Sequence, residues 1–114
     1  MPNVAQLKAK ATTKPSLVNE AWTKVNVETE NYRLLIINEG ATAIRVEAVE
    51  SGGTAPTLAT EGIELSAGTA TLAGGTYETP ENMVEMNDYY IYHAKGSAYT
   101  GVAVKEFFVI GNQY

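Results

Sequence analysis

The first candidate for general acid–base chemistry in this chain is His93, its only histidine, because an unperturbed imidazole titrates near neutral pH. The nearest carboxylate in sequence is Asp88, the sole aspartate, and residues five apart need not meet. A Ser-His-Asp relay would need Ser16, Ser51, Ser66 or Ser97 to reach the ring, and none of them stands in a G-x-S-x-G elbow. His93 therefore reads as a strand residue, and the expectation is a protein that is not an enzyme, with no catalytic residue.

Other constellations lead to binding. Glu81, Glu85 and Asp88 could offer oxygen ligands to a hard cation, yet their spacing is not that of a calcium loop, so a solvated acidic face is expected and no metal ligand is assigned. The glycine-rich stretch holds neither G-x-x-x-x-G-K nor G-x-G-x-x-G, which removes the phosphate-cradling signatures, and no cofactor is expected. Trp22, Tyr77, Tyr90, Tyr92 and Tyr99 form the candidate aromatic interface, either as protein contacts or as a platform for sugar rings, because Tyr supplies large contact area at small entropic cost.

These residues need strands to carry them. Tyr32 to Ile37 is a short Ile- and Leu-rich run, and Ala43 to Val49 alternates, with Ile44, Val46 and Ala48 on one face and Arg45 and Glu47 on the other. Asn38-Glu39-Gly40 between them predicts a β-hairpin over Tyr32–Val49, closed by a left-handed Gly40. Trp22 to Val27 predicts a first strand and Gly62 to Gly68 a short one carrying Ile63 and Leu65 on one face, followed by a further short run from Thr69 to Ala73. Tyr89–Ala94 and Val102–Ile110 close the chain. Thr79-Pro80-Glu81 has the chemistry of a brief helix start. About seven short strands with glycine-rich turns predict an all-β antiparallel sandwich or barrel, residues 22–114, preceded by an extended arm, residues 1–21.

Composition limits the partners. The chain of 114 residues has no cysteine, hence neither disulfides nor thiolate metal sites, and no apolar run near the length of a membrane span. The leading MPNVAQLKAKATTK lacks the apolar core of a secretory signal. Residues 1–24 set Lys8, Lys10, Lys14 and Lys24 against Glu20, a net of +3, whereas residues 25–114 set four cations against twelve acids, a net of −8. An acidic body does not suit nucleic acid. The basic arm suits an acidic partner or a neighbouring copy, and its candidate contacts are Val4, Leu7, Lys8, Lys10, Lys14 and Leu17.

Three segments carry a family resemblance: LLIINEGATAIRV (Leu34–Val46), GIELSAGTATL (Gly62–Leu72) and YYIYHAKGSAYTGVAVKEF (Tyr89–Phe107). In this order they resemble the small β-sandwich decoration, or cement, proteins on capsids of tailed bacteriophages. The first is similar to a strand ending in Asn with a short turn and an alternating strand, the second to a Gly-apolar-x-Leu-x-Ala-Gly turn, and the third to a closing aromatic strand with a Val-rich partner. Residues 1–21, Thr76–Asp88 and Tyr99–Gly101 depart from the compact pattern. The resemblance implies a jelly-roll-like sandwich that acts without catalysis. It would be made in the host cytoplasm and sit on the virion's outer surface, often as a homotrimer bridging major capsid protein subunits. The alternative reading is a carbohydrate-binding module of a phage fibre or tail.

Overall fold

The computed structural model describes residues 6–25, 33–79 and 87–110, with side chains described for 12–25, 33–79 and 87–107. Eight strands make two antiparallel sheets of four. They are β1 (Gln6–Thr13), β2 (Ala21–Lys24), β3 (Arg33–Asn38), β4 (Ile44–Glu50), β5 (Ile63–Leu65), β6 (Thr76–Glu78), β7 (Asn87–His93) and β8 (Val102–Ile110). The first sheet runs β1-β8-β3-β6 and the second β2-β7-β4-β5. The fold is an all-β sandwich, as the alternation predicts.

Alternation explains which face each strand buries. Leu34 and Ile36 of β3, Val102 and Val104 of β8, Ile44 and Val46 of β4, and Tyr89 and Ile91 of β7 all point between the sheets and are closed to solvent. Leu65, Val25, Leu17 and Tyr99 complete the core from its margins. Each large aliphatic side chain buried this way contributes roughly 1.5–3 kcal/mol, so this layer is the main driving force for folding.

The expected Tyr32–Val49 hairpin is not formed. Its two arms lie in different sheets: β3 pairs with β8 over Arg33↔Phe107 to Asn38↔Val102, while β4 pairs with β7 over Arg45↔Tyr92 to Glu50↔Asn87. The connecting amides show why. Glu39 N–H and Gly40 N–H both donate to Gly101 O, at 2.8 and 2.9 Å, so the turn is tied to the β7–β8 loop and carries the chain across the sandwich. Nor is Gly40 left-handed; among the described residues the glycines with positive φ are Gly52, Gly62 and Gly96. Gly40 is needed for a close approach, because a Cβ there would sit 2.2 Å from the Tyr99 hydroxyl.

Smaller differences follow from the same competition for partners. Thr69 to Ala73 is a closed turn and not a strand: Thr69 N–H donates to Leu72 O at 2.7 Å and Thr69 Oγ1 accepts from Leu72 N–H at 3.0 Å. The strand comes later, as β6, against β3. Leu65 is buried but Ile63 is 57% exposed, at the outer edge of the second sheet. Thr79, expected to cap a helix, instead continues the first sheet: its Oγ1 accepts from Leu34 N–H at 2.9 Å and its N–H donates to Leu34 O at 3.0 Å. The proposed helical turn beyond it, including Glu81 and Glu85, lies outside the described residues, as does the Glu28–Asn31 turn. Within the leading segment, Gln6–Thr13 is extended and runs beside β8 over Gln6↔Ile110 to Thr13↔Val104, with a register shift between Ala9 and Ala11.

Candidate functional site

Two places gather the residues singled out by sequence. One is a buried polar knot at the end of the sandwich; the other is an aromatic and charged patch on the outer face of the second sheet.

Asn38 is the centre of the knot. It occupies the inward parity of β3, after Leu34 and Ile36, and is fully buried. Its Nδ2 donates to Thr42 O at 2.8 Å and Ser66 O at 2.9 Å, with a longer approach to Leu65 O at 3.3 Å, while its Oδ1 accepts from the Tyr99 hydroxyl at 2.7 Å. Three chain segments are thereby bonded to one amide side chain. Glycine backbone fills the space around it: Gly74 N–H donates to Asn38 O at 2.7 Å, Asn38 N–H to Gly75 O at 3.0 Å, and Gly68 N–H to Gly40 O at 2.6 Å. A side chain at Gly74 would collide with backbone, since a Cβ there would lie 2.1 Å from Ser66 O.

His93 adjoins this knot and is closed to solvent, its ring 5.4 Å from that of Tyr99. Lys95 N–H donates to Nδ1 at 3.1 Å, so Nδ1 is the unprotonated nitrogen and Nε2 carries the proton shared with Leu17 O at 3.0 Å. Both ring nitrogens are therefore spent on backbone. Asp88 is engaged elsewhere: it accepts from Gly52 N–H at 3.0 Å and pairs with Lys24 Nζ at 3.5 Å. No Ser-His-Asp relay is assembled, and among the described residues no group of three or more His, Cys, Asp or Glu could hold a metal ion.

The candidate arm contacts divide. Val4 lies outside the described residues, and Leu7, Lys8 and Lys10 sit on β1, where only the backbone is described. Lys14 pairs with Glu39 at 3.5 Å, both well exposed, a contact that contributes under about 1 kcal/mol. Leu17 is wholly buried, and its N–H and C=O bond to Tyr99 O and N–H at 2.9 and 3.0 Å. It is a core anchor and not an exposed contact.

The aromatic candidates divide too. Tyr99 belongs to the buried knot, with Lys95 Nζ 5.8 Å above its ring. Tyr77 faces inward, 6.3 Å from the ring of Tyr89, and burial raises the pKa of both phenols above their ordinary value; Tyr89 and Glu47 push Tyr77 further the same way. Trp22, Tyr90 and Tyr92 do come together. Trp22 stands opposite Tyr92 across β2 and β7, their rings 5.4 Å apart, and Lys24 stands opposite Tyr90. The β4–β5 loop folds over this face, held by Trp22 Nε1 donating to Leu58 O at 3.1 Å and by Arg45, whose Nε donates to Glu61 O at 2.8 Å and whose Nη2 reaches Thr60 O at 3.0 Å. Between the loop and β4 lies a groove of about 480 Å³, lined by Glu47, Val49, Thr54, Pro56, Thr57 and Glu61.

Sequence reasoning missed Asn38 and Arg45. For Asn38 a signal existed: a polar residue at the inward parity of an apolar strand. For Arg45 there was none, because its partners are loop carbonyls fifteen to seventeen residues on. The chain matches no family model, no curated protein and no solved structure.

Proposed function

We propose that this chain is a non-enzymatic structural protein of a virus particle, a decoration or cement protein bound to the outer surface of a tailed-phage capsid. It would bridge major capsid protein subunits as a homotrimer, reaching the virion after synthesis in the host cytoplasm. The observation that carries the reading is the convergence of the three resembling segments on one end of the sandwich. Leu34–Val46 supplies Asn38 and Gly40, Gly62–Leu72 supplies Ser66 and Gly68, and Tyr89–Phe107 supplies Tyr99 and Gly101, all joined by the hydrogen bonds around Asn38. Segments that resemble a family's pattern separately thus also cooperate in one construction. The occupation of both His93 nitrogens by backbone agrees with a role in adhesion. On a symmetric shell, an interface of about 800 Å² per partner would suffice, since repetition adds avidity.

The test is sedimentation of the purified chain with empty shells of the phage that carries it, followed by cryo-electron microscopy of the pellet. Co-sedimentation with ordered density on the outer surface is expected; a chain left wholly in the supernatant overturns the reading.

A second reading has its own observation. The tilted Trp22–Tyr92 pair with Tyr90, beside the Glu47–Glu61 groove, offers ring faces and hydroxyl acceptors as a saccharide site would. Glycan-array binding that disappears in Tyr90→Ala favours a carbohydrate-binding module of a fibre or tail, and a silent array rules it out.

A further inference from the structure

The N-terminal strand β1 is an edge of the first sheet, so its removal breaks no other pairing. Among the described residues it bonds to β8 alone. The body on its C-terminal side is fixed almost at once: Leu17, wholly buried, is tied to Tyr99 by two backbone bonds and to His93 through Nε2. Between the strand and that anchor lie only Lys14, Pro15 and Ser16. Proline holds its own φ and biases Lys14 to extended backbone, so this link is stiff and favours a straight path. Here it must turn from the first sheet to the second, and it does so over a cavity of about 250 Å³ lined by Thr13, Pro15, Ser16, Thr23, Lys24, Val25 and Val104. The crossing is bridged and not packed.

The far end of the ladder adds a second observation. β3 meets β8 up to Arg33↔Phe107, whereas β1 continues through Lys8↔Phe108, Leu7↔Val109 and Gln6↔Ile110. Among the described residues, this end of the ladder is two strands wide. It carries Leu7, Phe108, Val109 and Ile110, residue types that favour a partner.

We propose that the chain assembles by strand exchange: Gln6–Thr13 of one copy pairs with Val102–Ile110 of its neighbour, in the same antiparallel register that closes the single copy. The exchange loses no ladder hydrogen bond, straightens the Pro15 link and leaves Leu17 seated in its own body. Exchange of an identical element is a low-cost route to an oligomer. The surface it uses is the β8 edge, and the partner it fits is a second copy of this chain. The proposal deepens the oligomer named in the reading above, and its test is run without shells, so a failure to bind capsids and a failure to exchange are read separately.

The absence of cysteine makes the test direct. Thr12 and Lys105 are register partners across β1 and β8. Single variants Thr12→Cys and Lys105→Cys, one with a mass tag, are unfolded together, refolded under mild oxidation at roughly 1 μM and roughly 1 mM, and resolved on non-reducing gels; the upper value matches the effective concentration of a short tether. A disulfide between the two chains that increases with concentration is expected, since this pairing is possible only in trans. The double variant, refolded alone at the lower concentration, should close within one chain. No mixed disulfide at either concentration, while the double variant closes normally, overturns the proposal. Should the double variant fail to close, the mass of the unsubstituted chain after concentrated refolding decides: an oligomer supports exchange and a monomer overturns it.

Discussion

The Tyr99 hydroxyl donates to Asn38 Oδ1 at 2.7 Å, both residues buried, and joins the β7–β8 loop to the end of β3 across sixty-one residues of sequence. A buried amide with all of its polar atoms bonded both orders its neighbours and becomes costly if any partner is removed. Asn38→Asp should be the worst substitution here, because a carboxylate cannot donate to Thr42 O or Ser66 O and would be a buried charge facing carbonyls. We expect a loss of at least about 3 kcal/mol, against about 1–2 kcal/mol for Tyr99→Phe, measured by urea unfolding. Equal effects would show that the donated bonds of Asn38 contribute nothing.

Two glycines separate close approach from backbone conformation. Gly40→Ala places a Cβ 2.2 Å from the Tyr99 hydroxyl and 2.8 Å from its ring, in a site already fixed by Asn38, so overpacking of about 2–3 kcal/mol is expected. Gly52→Ala meets nothing within 4 Å but must hold φ near +78°, a strain of about 1–2 kcal/mol. Replacing Gly52 by Asn, which tolerates that region, should recover much of its loss, while Gly40→Asn should be worse than Gly40→Ala. Thermal unfolding of the four variants gives the order.

What the sequence disclosed and what it hid follow from the range of the interactions. The apolar run Leu34–Ile37 and the alternation of Ile44–Val46 are local, and they yield strands and an all-β sandwich. Partner choice is not local. Nothing in NEGA states that its amides will bond Gly101, so the apparent hairpin could not be told from a crossing between sheets. β1 was legible only as part of an extended arm, because QLKAKATT alternates but offers alanines after Leu7, too small to mark a buried face; its place is set by the open edge of β8. At the site, the aromatic grouping of Trp22, Tyr90 and Tyr92 was legible as residue types, whereas the separation of Tyr77 and Tyr99 from them required knowing which sheet face each occupies.

Tyr77 and Tyr89 give the alkaline response a definite sign. Burial raises both phenol pKa values, with Tyr89 and Glu47 adding to the effect at Tyr77 and Asn87 opposing it at Tyr89. A raised folded-state pKa means that the folded chain holds the proton more tightly than the unfolded one. That contribution is complete below the unfolded phenol value near 10 and is lost as pH rises through it toward the folded value. Stability should therefore fall above about pH 10 more steeply in the parent than in Tyr77→Phe, which has no phenol to ionise there. Urea midpoints at pH 8 and pH 11 test this; parallel declines would remove Tyr77 as a contributor.

Leu17 and His93 are the point where the leading segment is held to the body, and the two substitutions that loosen it should differ in kind. Leu17→Ala removes a fully buried side chain yet keeps the backbone bridge to Tyr99, so it should cost about 2–5 kcal/mol through the cavity it leaves, with protection falling throughout the domain. His93→Ala instead orphans Lys95 N–H and withdraws one of the two donors to Leu17 O; the expected loss is about 1–3 kcal/mol. Its effect on exchange should concentrate at the amides of Leu17, Glu20 and Lys95, the last losing its Nδ1 acceptor, while Val46 and Ile91 in the central strands remain protected. Amide hydrogen exchange resolves the difference. If Val46 and Ile91 exchange as fast as Leu17 in His93→Ala, the imidazole supports the whole sandwich, and the bonds it makes at the end of β7 are not the local tie that their geometry indicates.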